Sequence, residues 1–461
     1  MRYLWVSLLL LVVLGAAFGP AIFAPEPPAD EQITIISPHW AGIRREFERA
    51  FADKYLKDTG KHIHVTWLDL GGGTGEIKKY LVQKFSQAKT GEGVGTDILF
   101  GGGMDILPPM AESNYFEPYT LTPEQINDLP ETLNGQILRD KKSRYFSACL
   151  STFGFVRNKL VLEKAALPAP QAWEDLGAPA FQGWVSCADP ASSGSLHMAF
   201  ELVLQAKGWE KGYVALARMI ANTNAFNDGG SSIPRDVSLG QEAAGPCIDF
   251  YASAPVRRQG ATHLEFVLPQ GTTVATPDCL AMLRSPPNRR AASAFMNFVL
   301  SEQGQRLWYQ ARGTEGGPVE YDLERLPTMP RIYEMGLKTY TVVNPFKSSI
   351  DFLYDGKKGS DRFGILNDLW HAALIDVHDS LLEAHKAVLA ANRDSDLGMA
   401  LCRPPFSEKA LMALAKARLP ADVRNTLRNK WSGWARTWFA QIESAAKNNT
   451  PVPEFTPAPE N

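Results

Sequence analysis

The sequence predicts an α/β protein with a helical C-terminal extension. Three observations carry that expectation. Strand-like runs alternate with helix-like runs from residue 32 to about 325, as in a mainly parallel α/β arrangement. Several strands end in a loop of glycine and small hydroxyl residues that opens a helix. After about residue 330 the strand patterns give way to wide amphipathic helix patterns.

The first strand reads Ile33, Thr34, Ile35, Ile36 and runs into Ser37, Pro38 and His39. Ser37 suits a helix cap and Pro38 a first helical position. Ile43, Phe47 and Phe51 then keep helical spacing. Residues 63–68 form a second strand. Gly71 to Gly75 follow, with Gly73 and Thr74 among them, before a helix carrying Ile77, Tyr80, Leu81 and Phe85. A third strand over 97–100 ends in Gly101, Gly102 and Gly103. The stretch 184–195 is the most informative: an apolar run ends in small residues, and Ser193, Gly194 and Ser195 open a helix marked by Leu196, Ala199, Phe200, Val203 and Leu204. A further loop over 227–232, with Asp228, Ser231 and Ser232, opens another short helix.

These junctions share one chemistry. Glycine lets a backbone approach a ligand closely. The unpaired N–H groups of a helix start act with the helix dipole to favour an anion. In open α/β sheets ligands bind beyond the carboxyl ends of strands. The candidate ligand contacts are therefore Ser37, His39, Gly73, Thr74, Gly102, Gly103, Ser193, Gly194, Ser195, Ser231 and Ser232, with Asp228 placed to take a ligand amine or hydroxyl. Each has a plainer alternative: Ser193 as an ordinary cap, Asp228 as a turn former, His39 as a surface residue at a helix start.

Residues 145–156 and 264–268 read as strands lying between α/β blocks, able to carry the chain from one lobe to another and back. Leu366, Leu369, Trp370, Ala373, Leu374, Val377, Leu381 and Leu382 form one long apolar stripe, and helices are expected over 408–417 and 420–445. Residues 446–461, rich in Pro and Asn, read as a disordered tail.

Composition narrows the function. Lys and Arg number 47 against 50 Asp and Glu, a net charge of −3, so nothing supports nucleic-acid binding. Met1, Arg2 and Tyr3 precede an apolar stretch over 4–24, the form of an export signal peptide, or of an uncleaved N-terminal anchor. A Pro-rich linker spans 25–31. The body is expected outside the cytoplasm, in the periplasm. Cys149, Cys187, Cys247, Cys279 and Cys402 are widely spaced without metal-ligand pairs, as expected of buried thiols. No nucleophile elbow, zinc-protease motif or Walker sequence is present, so no catalytic residue, metal or cofactor is expected.

The order of motifs resembles the extracellular solute-binding proteins of ABC importers, in the group that includes ferric-iron, thiamine, phosphonate and sugar-phosphate binders. The likeness covers about residues 32–325. It is carried by Gly71–Gly75 before a helix, by Thr96 to Gly103, by Glu117-Pro118-Tyr119 and by Gly154 to Asn158. It continues through Pro170 to Leu176, Ala188-Asp189-Pro190 with Ser193 to Ser195, and Phe295 to Gln305. The resemblance implies a type II periplasmic-binding-protein-like fold. Lobe 1 would take 32–144 and 264–330, lobe 2 would take 145–263, and the helical extension would take 331–445. It also implies a solute held between the lobes, delivery to a membrane permease, and action as a monomer.

Iron-binding members use adjacent tyrosines. Here the matching strand reads Ile248, Asp249, Phe250, Tyr251, so one tyrosine remains; Tyr251 is a candidate ligand contact or a core aromatic. Ferric iron wants several anionic oxygens, and the third loop offers only glycine. A small phosphorylated or phosphonate solute suits the site better. Ferric iron transport, and a ligand sensor docking on a membrane receptor, remain as alternatives.

Overall fold

A computed structural model of the protein describes residues 29–71, 73–104, 106–227, 229–341, 343–347 and 352–460. The expected signal or anchor over 1–24, most of the 25–31 linker, and Asp228 lie outside the described residues. No described helix is long and apolar enough to cross a membrane.

Two sheets organise the body. The first has seven strands, in the order Leu326–Pro327, Phe146–Ser151, Thr276–Leu283, Ile98–Phe100, Glu31–Ile36, Ile63–Leu68, with Phe116–Glu117 on the Thr276–Leu283 strand. Glu31–Ile36 is parallel to both its neighbours. Ile33, Ile35 and Ile36 are all buried, as a strand covered on both faces requires. The second sheet has five strands, in the order Thr223–Asn227, Val185–Ala188, Ala244–Ile248, Phe153–Asn158, Leu264–Val267.

Neither sheet is as parallel as expected. The strands that carry the chain between sheets run antiparallel to their neighbours. Phe146–Ser151 belongs to the first sheet and Phe153–Asn158 to the second, so the outward crossing falls at Thr152 and not near residue 145. Leu264–Val267 still belongs to the second sheet, so the return falls between it and Thr276–Leu283 and not near residue 263. One continuous apolar run supplied both strands, which hid the crossing. Asp249 secures it: its Oδ2 accepts from the Thr152 backbone N–H at 2.7 Å and from the Thr152 hydroxyl at 2.9 Å.

Two expected helices begin or break elsewhere. The first helix is Ala41–Thr59, with Trp40 at its cap position. Ser37 does not cap it; the Ser37 hydroxyl accepts from the His39 N–H at 3.1 Å. The stripe over 366–382 is split into Gly356–Trp370, a π-helical turn at His371–Ile375 and His378–Ala390. The wider turn re-aims the second helix while keeping both apolar faces inward.

The extension is part of the second lobe's core. Leu366, Trp370, Leu381, Trp431 and Ile442 share one apolar cluster with Phe200, Leu204, Tyr213 and Leu216. The first sheet is covered by separate clusters. Arg362, fully buried, is forked onto equally buried Glu201 and reaches Glu408 at 2.6 Å. The last helix is Ala421–Asn448, ending three residues later than expected. The tail beyond it has no regular secondary structure, yet the expectation of disorder fails. Trp431 and Trp434 donate their indole N–H groups to the carbonyls of Pro459 and Thr456, each at 2.8 Å. Ala458 is buried and its N–H donates to the Pro405 carbonyl at 2.9 Å. The five cysteines are all buried free thiols.

Candidate functional site

The loops at the strand ends meet in one cleft of about 590 Å³ between the two sheets. Ser37, His39, Gly73, Thr74, Gly102, Gly103, Ser193, Gly194, Ser195, Ser231 and Tyr251 all line it. Ser232 does not line it; it sits at the start of the short Ile233–Leu239 helix. Tyr251 comes from the first turn of the Asp249–Gln259 helix and not from a strand, because Ala244–Ile248 ends just before it.

Two helix starts face each other across the cleft. Gly73 caps Thr74–Gln87 from the first lobe, and Ser193 caps Gly194–Lys207 from the second. The Ser193 hydroxyl accepts from the Leu196 N–H at 3.4 Å and lies 3.1 Å from the Ser195 hydroxyl. The lobes are closed on each other here. A Cβ added at Gly194 would lie 3.3 Å from Thr74 Oγ1, and one at Gly73 would lie 3.3 Å from the Ser192 backbone oxygen. At both places a helix-start glycine of one lobe runs close against the other lobe, with little room for a side chain. Two dipole ends converging from opposite sides make a place for negative charge.

The floor of the cleft is a buried ionic cluster. Arg325 is almost wholly buried, with Nη1 2.7 Å from Asp278 Oδ2 and Nη2 donating to the Ser151 hydroxyl at 2.7 Å. Its guanidinium lies 4.3 Å from the Phe250 ring centroid. His39 Nε2 lies 3.0 Å from the same Asp278 oxygen. Burial works against the Asp278 charge, but Arg325 and His39 outweigh it and hold the carboxyl far below its ordinary range. Burial lowers the pKa of His39, against the opposing pull of Asp278. Burial pushes Asp249 up to about 6, against its bonds to Thr152 and the field of Arg325. His39 Nδ1 and Arg325 Nε have no hydrogen-bond partner among the described residues. Phe153, Phe250, Ile106 and Met198 supply apolar wall.

Asp278 and Arg325 escaped the sequence reading. Asp278 lies inside a largely apolar run, where a buried charge is costly unless it is paired, whereas Arg325 follows Asp322 and Glu324 in a charged stretch that reads as surface. The cost at Asp278 was the available signal, but the partner lies 47 positions away along the chain (Asp278 to Arg325) and only the fold joins them. His197, by contrast, is not in the cleft. It is buried against the extension, with Nδ1 2.7 Å from Asn367 Oδ1.

Two α/β lobes, crossings between them and a closed polar cleft define a type II periplasmic binding protein. The chain belongs to the bacterial extracellular solute-binding protein family, whose sequence profile matches residues 96–330. That family is one of extracellular binding proteins and not of enzymes. Among curated relatives, the phosphoglycerate transport regulatory protein PgtC of Salmonella typhimurium is 25% identical over 249 residues. The match covers 54% of this chain and 62% of that relative, so the chain spans less than two thirds of its length. Among solved structures, the periplasmic binding protein AfuA of Actinobacillus pleuropneumoniae, with fructose-6-phosphate bound, superposes with a TM-score of 0.58 at 19% identity. That likeness covers 75% of this chain and 99% of AfuA. The apo ferric ion-binding protein A of Pasteurella haemolytica gives a TM-score of 0.55 at 13% identity, covering 74% of this chain and 96% of its own. Both likenesses concern the fold.

Proposed function

We propose that this protein is the substrate-binding component of an ABC importer. It captures a small organic anion, phosphorylated or phosphonate, between its lobes and delivers it as a monomer to a membrane permease. The observation that carries this reading is the pair of opposed helix starts at Thr74 and Gly194, above a floor holding Arg325. Each start offers backbone donors and hydroxyls to the same anionic group. The apolar walls and the cleft volume suit a ligand with a carbon skeleton. The names of PgtC and of the fructose-6-phosphate complex of AfuA support the same class.

Ferric iron fits less well. Burial raises the Tyr251 pKa, which disfavours the tyrosinate that iron needs. Asp249 is committed to Thr152 and Asp278 to Arg325. A sensor role is the second reading, favoured by the word "regulatory" in the relative's name.

The test is a thermal-shift screen of the exported protein against 3-phosphoglycerate, fructose 6-phosphate, 2-aminoethylphosphonate, inorganic phosphate and ferric citrate. A ligand of the folded state at a hundred times its Kd stabilises by about 2.7 kcal/mol, so the melting temperature should rise by several degrees with an organic phosphate or phosphonate. A rise with iron alone, together with a tyrosinate absorption band lost in Tyr251→Phe, would reverse the ranking. Uptake of the labelled ligand in a strain lacking the protein separates the roles: lost uptake marks the importer, and retained uptake with lost induction marks the sensor.

A further inference from the structure

The cleft has one wall that neither lobe supplies. Phe363 belongs to the Gly356–Trp370 helix of the extension, and it lines the cleft. On one side its ring centroid lies 4.1 Å from that of His197, on the Gly194–Lys207 helix of the second lobe. On the other side the Lys78 ammonium, on the Thr74–Gln87 helix of the first lobe, lies 5.2 Å from the ring centroid. The ring also packs on the first lobe's cluster that contains Ile77 and Leu81. Phe363 therefore bridges the lobes from a third element.

The helix that carries it is fixed to one lobe. Its neighbour Arg362 is forked onto Glu201 by contacts of 2.8 to 3.1 Å, with both side chains fully buried. Asn367, one turn on, meets His197 at 2.7 Å. A hinge motion that parts the lobes must carry Phe363 away with the second lobe and break its contacts to Lys78 and the Ile77–Leu81 face. Those contacts exist only in the closed arrangement.

We propose that the C-terminal extension is the third element of the binding site, and that Phe363 latches the closed form. The proposal rests on the cleft being the solute site. A contact made only in one of two conformations shifts the balance toward it by its own free energy. Apparent affinity scales with the fraction of molecules in the competent form. A cation over an aromatic face, joined to apolar packing, has the strength to move that balance. The latch touches protein on both sides, so it acts on every solute by a common factor. Direct contact with the solute would act on some solutes and not on others.

The test reads the distance between lobes in the full chain without ligand. Spin labels at Gln83→Cys in the first lobe and Lys211→Cys in the second sit on exposed positions, and the native cysteines are buried. Phe363→Ala is expected to move the distance distribution toward longer, open values, and Phe363→Leu to move it part of the way. Calorimetry with 3-phosphoglycerate and fructose 6-phosphate is expected to show a loss of about tenfold in affinity in Phe363→Ala, equal for each solute that binds. Should Phe363→Ala melt early, Phe363→Leu, which keeps apolar packing on His197, carries the measurement. An unchanged distance distribution overturns the latch. So does a loss of affinity confined to one solute. If the wild-type protein binds neither solute, the proposed solute class fails, and the ligand-free distances still decide the latch.

Discussion

The lobe built on the seven-stranded sheet covers most of its core with its own helices and takes only a few side chains, Ile332 and Phe363 among them, from beyond residue 330, whereas the lobe built on the five-stranded sheet draws a large part of its core from there. Phe47, Phe100, Phe295 and Trp308 pack together within the first lobe. In the second lobe, Phe200 packs edge-on against Trp370 of the extension, and the Trp209 indole N–H donates to the Phe406 carbonyl at 2.8 Å. The family profile ends at residue 330, but the hydrophobic core of the second lobe runs well past it. The family boundary is thus not a folding boundary. The extension turns the second lobe into a larger rigid body, and that body carries one start of the anion site.

Removing the extension breaks this comparison most severely. A fragment ending at residue 330 loses Leu366, Trp370, Leu381 and Trp431 from a shared core. Large core side chains each contribute about 2–5 kcal/mol, against a total of about 5–15 kcal/mol for a typical domain. It also takes Arg362 from Glu201, breaking a fully buried ion pair. The expected outcome is a fragment whose first-lobe amides keep their protection from hydrogen exchange while those of the Gly194–Lys207 and Trp209–Ala221 helices lose it. A fragment that melts and exchanges like the full chain would show that the second lobe is self-sufficient.

A smaller effect comes from pH. Three histidines whose pKa values burial lowers cross the seam between the second lobe and the extension: His197, His385 and His378, whose Nε2 meets the Ile220 carbonyl at 3.0 Å. Burial lowers His197 to about 3 and His385 to about 4, from an ordinary value of 6.5. His385 Nε2 meets Asn222 Oδ1 at 2.9 Å. In the unfolded chain His197 and His385 take up protons near 6.5, but in the folded chain only near 3 to 4. Their contribution is therefore complete above about pH 6.5 and is lost as pH falls toward about 4. His371 acts in the opposite sense, because its hydrogen bond with Asp189 raises its pKa. Melting followed from about pH 7.5 to about 4.5 should show a fall that His385→Gln makes shallower. An identical slope in that variant would remove His385 from the seam's pH response.

The same contrast explains what was legible in the sequence. The glycine and serine loops announced themselves because φ, capping and close approach are local properties. Ser193, Gly194 and Thr74 could be picked from short windows, and they reach one cleft. Arg325, Asp278 and Phe363 could not, because each takes its meaning from a partner distant in sequence. The π-helical turn at His371–Ile375 was hidden by an apolar stripe that continues on both sides of it. The tail over 446–461 reads as disordered by composition, but Trp431 and Trp434 pin it through its backbone carbonyls, which composition does not register.

The central claim is that an anionic group sits between the facing helix starts. Calorimetry tests it most directly, using the organic phosphate or phosphonate that stabilises the wild-type protein, with Thr74→Val from one lobe and Ser195→Ala from the other. Each substitution removes one hydroxyl and leaves the helix in place. A hydrogen bond to a charged group contributes about 1.5–3 kcal/mol. Each variant is therefore expected to bind at least about tenfold more weakly, with melting of the ligand-free protein unchanged. Wild-type affinity in both variants would contradict it and place the anion elsewhere in the cleft.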